Sequence, residues 1–299
     1  MNFGWRFLSL FCMVSFSFQN ILVKALTRRG VRVKFILWFL VAAAVPFLLF
    51  AYLYSGPHRF LPGFLIALFF AVLGNMLGYY GYLKAISLTD VSLVMPLISL
   101  TPFFMLLTSW VMLSELPDLP GLIGIIVVVS GTYLLTREPG AGWLQPFYAL
   151  WNNRGCRWAL FTSLIWSVQA NIDKIAVAAS TPVGYTLWFH ILFSLLLLPF
   201  FFFGDFKLFE KEKAFTFNSK FVTVIIFGLI VVGGLQALMT VVQMGAIIQI
   251  QVSYVIAIKR AGMLLVVLAG GLLFEEKYLL KRLIAATVVL LGLLAILLF

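Results

Sequence analysis

Ile258-Lys259-Arg260-Ala261 sets two cations side by side inside an apolar run from Ile250 to Phe274. Lys259 lies roughly 14 Å into that run at about 1.5 Å per helical residue, and a hydrocarbon core is about 30 Å thick. Both side chains are too deep to snorkel out. A charge at the bilayer centre costs from about 2.5 to over 10 kcal/mol, so such residues face a wet cavity or a partner. Two adjacent cations predict an anionic partner. Arginine brings a bidentate fork suited to phosphate or carboxylate, and lysine a compact point charge. The acids that could form an internal salt bridge (Asp90, Glu115, Asp118, Asp173, Glu275 and Glu276) all lie near the ends of apolar runs. At least one cation is then left for a transported anion.

Other polar residues at membrane depth fall on helical faces. Asn75, Tyr79 and Tyr82 follow i, i+4, i+7, as do Gln236, Thr240 and Gln243, so each trio shares one face. Such stripes either line an aqueous path or bond helix to helix, and Gly74 and Gly78 on a neighbouring face favour close packing. Gln19, Asn20 and Lys24 occupy one run, and Gln169, Asn171, Asp173 and Lys174 another. Lys24 and Lys174 sit in last turns, where lysine also snorkels and complements the helix dipole. Asp173 is a candidate counter-ion for Lys259 or Arg260. His190 and Tyr254 complete the candidate substrate-binding set of Lys259, Arg260, Lys174, Lys24, Gln169, Asn171, Asn75, Tyr82, Gln236, Gln243, Tyr254 and His190.

The elements that must carry these residues are membrane helices. Of the 299 residues 63% are hydrophobic and only 10% charged, and mean hydropathy is +1.11, whereas a soluble chain carries about 25% charge. The pI near 9.8 is no nucleic-acid footprint, because the basic residues cluster in short connections. Cys12 and Cys156 have no metal-like or disulfide-like spacing, and no metal or cofactor is expected. The apolar N-terminal run lacks a small-x-small cleavage site and holds Gln19, Asn20 and Lys24, so it reads as a retained helix. Runs long enough to cross occur at 5–25, 33–54, 63–86, 89–113, 119–136, 157–178, 183–203, 221–245, 250–274 and 279–298. Two connections are longer. Residues 137–156 mix Trp143, Phe147, Tyr148 and Trp151 with polar residues, as an interfacial segment would, and Asp205–Lys220 carries mixed charge.

The two halves repeat. A shift of 150 aligns Ser17, Gln19 and Lys24 with Ser167, Gln169 and Lys174, and a shift of 161 aligns Ala85, Val91, Ser92, Val94 and Glu115 with Ala246, Val252, Ser253, Val255 and Glu276. Five spans per half is an odd number, which inverts the second half relative to the first. The expected fold is an all-α integral membrane protein of ten transmembrane helices in two inverted five-helix repeats, residues 1–136 and 157–299, joined by an interfacial linker at 137–156. In that architecture substrate sits near the midplane between the repeats. The fourth-span counterparts of Lys259 and Arg260 are Ile98 and Ser99, so one half alone supplies the basic pair.

The chain resembles the drug/metabolite transporter superfamily, in particular its EamA-type members. The likeness rests on Leu97 through Glu115 with Pro96, Pro102 and the terminal Ser114-Glu115, followed by Gly121 and Gly131. Leu272-Leu273-Phe274-Glu275-Glu276 and Gly292 are the second-half counterparts. The ninth span is locally similar to sugar-phosphate/phosphate translocators, through Ile258-Lys259-Arg260 and Phe274-Glu275. The resemblance implies a carrier in the cell membrane with both termini cytoplasmic. The Lys and Arg tally instead puts the connections after odd spans, with Arg28, Arg29, Lys84, Arg137, Lys207 and Lys281, on the cytoplasmic side. No catalytic motif is present: neither HExxH nor GxxxxGK[ST] occurs, which excludes a zincin and a nucleotide-driven pump. The expected activity is secondary transport of a small phosphorylated or carboxylated anion by alternating access, coupled to a counter-substrate or a proton. Export of neutral amino acids and lipid-phosphate flipping are the alternatives. Monomer and homodimer are both open.

Overall fold

The computed structural model describes residues 4–28, 31, 33–89, 91–136, 142–202, 219–266 and 279–298, and among these there is no β-strand. The Asp205–Lys220 connection up to residue 218, Asp90, Arg137 and the segment holding Phe274-Glu275-Glu276 lie outside the described residues. In chain order the helices are α1 (Gly4–Arg28), α2 (Val33–Ala42), α3 (Ala44–Tyr54), α4 (Phe64–Leu88), α5 (Val91–Ile98) and α6 (Thr101–Leu113). They continue with α7 (Leu119–Thr136), α8 (Gln145–Asn152), α9 (Arg154–Ala178), α10 (Pro182–Phe202), α11 (Ser219–Ile247), α12 (Val252–Ala261) and α13 (Leu279–Leu298).

Among the described residues six stretches are long and apolar enough to cross a membrane: Gly4–Thr27, Phe35–Tyr54, Phe64–Leu88, Leu93–Leu113, Pro182–Pro199 and Ile225–Ile247. Leu119–Leu134 and Thr287–Leu298 are apolar but shorter. α9 does not qualify although it has 25 residues, because Arg154, Arg157, Gln169, Asn171, Asp173 and Lys174 dilute it. Leu65, Phe227 and Phe69 on the outer helix faces are largely exposed, as a lipid-facing surface requires. Tyr148 and Trp151 of α8, with Trp143 just before it, are exposed as well, and an aromatic face of that kind suits the headgroup level.

Small residues set the tightest crossings. α4 lies along α9 with Gly74, Gly78 and Gly81 turned toward Gln169, Trp166 and Thr162. α7 and α13 approach through Gly124, Gly131 and Gly292, and a Cβ on Gly292 would stand 2.7 Å from the backbone N of Val128. Missing side chains let backbones touch, which is how helices associate where lipid is as apolar as leucine. α1 packs on α11 and α12, α5 and α6 pack on α9, and α10 packs against α2, α3 and α4.

Besides the interruption at Ala43 between α2 and α3, two apolar runs among the described residues are broken in mid-course. The first break separates α5 from α6 at Ser99-Leu100. Pro102 has no N–H for the Ile98 carbonyl, and the Thr101 hydroxyl donates to it instead at 2.7 Å, while Ser99 Oγ donates to Pro96 O at 2.7 Å. Thr101→Val keeps the shape and removes that donor; it is expected to destabilise the purified protein by about 1 kcal/mol, measured as an earlier thermal unfolding in detergent. The second break follows α12 at Gly262, after which residues 263–266 are again helical. Here no proline is involved. Ser17 Oγ of α1 donates to Gly262 O at 2.9 Å and to Met13 O at 2.7 Å. A Cβ on Gly262 would meet Ser17 Oγ at 2.6 Å and Met13 O at 2.8 Å, so glycine is what lets α1 cross at the break. The shift of 161 that aligns the halves sets Gly262 opposite Thr101.

Candidate functional site

The breaks border a cavity of about 320 Å³ between α1, α2, α4, α6, α9, α10, α11 and α12. Lys259, Arg260, Gln169, Asn75, Tyr82, Gln236, Gln243 and His190 line it. Tyr79 and Thr240, the remaining members of the two polar stripes, line it too. One face of α4 and one face of α11 therefore look into the same space.

The position of Lys259 and Arg260 differs from that in an unbroken helix. They occupy the last turn of α12, where the carbonyl end of a helix carries partial negative charge. That terminus favours a cation by about 0.3–1 kcal/mol, up to about 2 in partly buried settings. Lys259 Nζ donates to Gln243 Oε1 at 2.7 Å and stands 5.4 Å from the centroid of the Phe16 ring. The Arg260 guanidinium lies 5.7 Å from the Trp166 centroid. Rings at that distance attract a cation through their quadrupole. The pair is thus tolerated at depth by dipoles and rings, and among the described residues no direct ion pair cancels its charge.

A hydrogen-bond chain crosses the opposite side. Gln19 Nε2 donates to Gln236 Oε1 at 2.8 Å, and Gln236 Nε2 approaches His190 Nε2 at 3.4 Å. His190 Nδ1 meets the Thr186 carbonyl at 2.7 Å. A carbonyl can only accept, so Nδ1 carries the proton and Nε2 accepts from Gln236. His190 is a neutral imidazole here.

Lys174, Lys24, Asn171 and Tyr254 are not among the lining residues. Lys174 Nζ pairs with Glu115 Oε1 at 2.5 Å and donates to Ile250 O at 2.8 Å, so it ties α9 to the ends of α6 and α11 rather than snorkelling. Asn171 faces α6, accepting from Ser109 Oγ at 2.7 Å and donating to Thr108 Oγ1 at 3.0 Å. Tyr254 donates to Asp118 Oδ1 at 2.5 Å and stacks on Trp5 with centroids 6.1 Å apart. Asp173, read from the sequence as a candidate counter-ion near the end of its span, lines the cavity. It lies roughly 8 Å from the end of α9 at about 1.5 Å per residue. Lys174, its neighbour, is turned about 100° away and finds Glu115. Phe16 and Thr101 also line the cavity and carry no sequence signal that sets them apart from packing residues.

The Lys174–Glu115 pair is four-fifths buried, with 18% and 21% side-chain exposure. Glu115→Gln and Lys174→Met are each expected to lower stability by about 1–2 kcal/mol, between exposed and buried pairs. The double variant should recover much of that loss; additive losses in a thermal-melt cycle would show that the two side chains act separately.

No curated protein matches the chain in sequence. A solved structure titled only as the crystal structure of a protein is similar to it with a TM-score of 0.68, covering 99% of this chain and 96% of that one at 17% identity. The likeness shows a shared fold. Residues 4–137, somewhat under half of the chain, match the model of the EamA-like transporter family, so the first half of this chain, with its apolar helices, is similar to that family of membrane transporters.

Proposed function

We propose that the protein is a secondary active carrier that moves a small organic anion by alternating access across the cell membrane. Lys259 and Arg260 clamp the phosphoryl or carboxylate group. Asn75, Tyr82, Gln169, Gln236, Gln243 and His190 supply the polar walls. The observation that carries this reading is two cations in the last turn of a broken half-helix, facing one cavity with no direct ion pair among the described residues. Broken helices whose ends meet substrate or coupling ions near the midplane are the common device of such carriers. Lys174, Lys24, Asn171 and Tyr254 are left out of the clamp and belong to the supports of the cavity.

Helix packing supports two inverted five-span repeats, residues 1–136 and 157–299. Under that relation α1 corresponds to α9, α4 to α11, α5–α6 to α12, and α7 to α13. The contact of α4 with α9 then has its counterpart in α11 with α1. That of α6 with α9 has its counterpart in α12 with α1, and α7 with α13 maps onto itself.

The test is a ligand screen on purified protein by thermal shift, followed by counterflow in liposomes. Phosphorylated sugars, carboxylates, neutral amino acids and organic cations form the panel. Anions should raise the melting temperature and exchange with their labelled forms. Stabilisation and exchange by organic cations alone would replace this reading with that of a cation exporter.

A further inference from the structure

We propose that the transported anion also carries an ammonium group and that Asp173 receives it; this rests on the reading of Lys259 and Arg260 as the anion clamp. Asp173 is the acid among the described residues that lines the cavity. Two donors fix it. Gln169 Nε2 donates to Asp173 Oδ1 at 2.7 Å, and the Tyr185 hydroxyl donates to that same oxygen. Both donors converge on Oδ1, so Oδ2 has no protein donor among the described residues. The carboxylate is positioned but half of it is unspent.

What fixes Gln169 is equally specific. Its carbonyl lies in the notch left by Gly74 of α4, where a Cβ would collide with it. The amide is thereby turned so that its NH₂ reaches Asp173. Lys259 donates to Gln243 on α11 and not to Asp173. The cavity therefore has a positive wall on α12 and a negative point on α9, held apart by separate hydrogen-bond partners. A charge at depth is costly unless a partner meets it, and no hydrogen bond joins Asp173 to Lys259, whose ammonium is committed to Gln243.

The charges constrain the ligand. Two cations and one carboxylate leave a single positive charge in the cavity, which a ligand of net charge −1 balances. A molecule with two negative charges and one ammonium satisfies all three groups at once. Acidic α-amino acids and aminoalkyl phosphate monoesters have that pattern. A cavity of about 320 Å³ sits at the small end of the usual range of about 300–1,000 Å³ for ligand sites, which suits molecules of this size.

The experiment compares paired probes in proteoliposomes: glutamate against glutarate, and phosphoethanolamine against ethyl phosphate. Wild-type protein should take up the aminated member of at least one pair about tenfold faster. Asp173→Asn should lose that preference while keeping uptake of the non-aminated member, which also reports that the variant is folded. Asp173→Glu should restore part of the preference. Equal uptake of both members by wild-type protein overturns the proposal, as does an Asp173→Asn variant that lowers both members alike. If wild-type protein moves none of the four probes but exchanges organic cations, the anion clamp itself has failed, which is a different result from loss of amine selectivity.

Discussion

Alanine at Lys259 or at Arg260 is expected to reduce anion uptake by about ten- to a hundredfold while leaving the protein as stable as before or slightly more so. The transport loss follows from the charge-assisted hydrogen bonds removed, each worth about 1.5–3 kcal/mol, with a factor of ten for about every 1.4 kcal/mol. The stability follows from the opposite side of the ledger. Lys259 is held by one amide, a ring and the end of a helix, and Arg260 by a ring and that same helix end, so removal of either relieves desolvation and breaks little. In Lys259→Ala the Gln243 carbonyl keeps only the Cys12 thiol, 4.0 Å away, which limits the gain. Arg260→Lys separates charge from shape: a bidentate clamp loses most of its affinity in this variant, whereas a site needing only a positive charge does not. Uptake into liposomes, read beside thermal melts of the same preparations, measures both. Unchanged transport by both alanine variants would remove the pair from the site.

The second large effect is expected at Gly262. Gly262→Val places methyl groups where Ser17 Oγ, Met13 O and Lys259 O already stand within 2.6, 2.8 and 3.0 Å of a bare Cβ. Two of those three are backbone atoms and cannot rotate away. Overpacking of this kind costs about 1–3 kcal/mol, and here α1 must part from α12 to accommodate it. Because Phe16 and Gln19 of α1 line the cavity next to Lys259, the displacement reaches the site directly. Loss of most transport together with a lower melting temperature is expected. Gly262→Ala combined with Ser17→Gly should recover part of both, since it removes the nearest obstacle. Full activity in Gly262→Val would mean that the crossing is loose.

Particular residues show what could be read before the fold was known. Asn75, Tyr79 and Tyr82 share a face because a helix repeats every 3.6 residues, and that face needs no tertiary knowledge to identify. The same holds for Gln236, Thr240 and Gln243, and all six look into one cavity. Lys259 and Arg260 announced themselves by cost, since no apolar run carries two cations idly. The break at Gly262 was not legible. Glycine within an apolar helix has many meanings, and only the crossing of α1 selects this one. Asp173 was open to a place in the cavity, whereas Lys174 was placed in the substrate-binding set, because distance from a span end does not fix the direction of a side chain. One residue of rotation sends the first inward and the second to Glu115.

The polarity of α9 has a consequence for how the protein is made. A segment that presents Gln169, Asn171, Asp173 and Lys174 is more polar than the spans around it, and it is not among the described stretches apolar enough to cross. Its polar groups are satisfied by Ser109 and Thr108 of α6, by Glu115 after it, and by Tyr185 of α10, while its long face rests in the glycine notches of α4. Insertion of α9 is therefore expected to be helped by α4 and α6 already standing in the bilayer with their receiving faces presented, and by α10 once it follows. The same polar residues that build the cavity are expected to make α9 depend on its neighbours during synthesis.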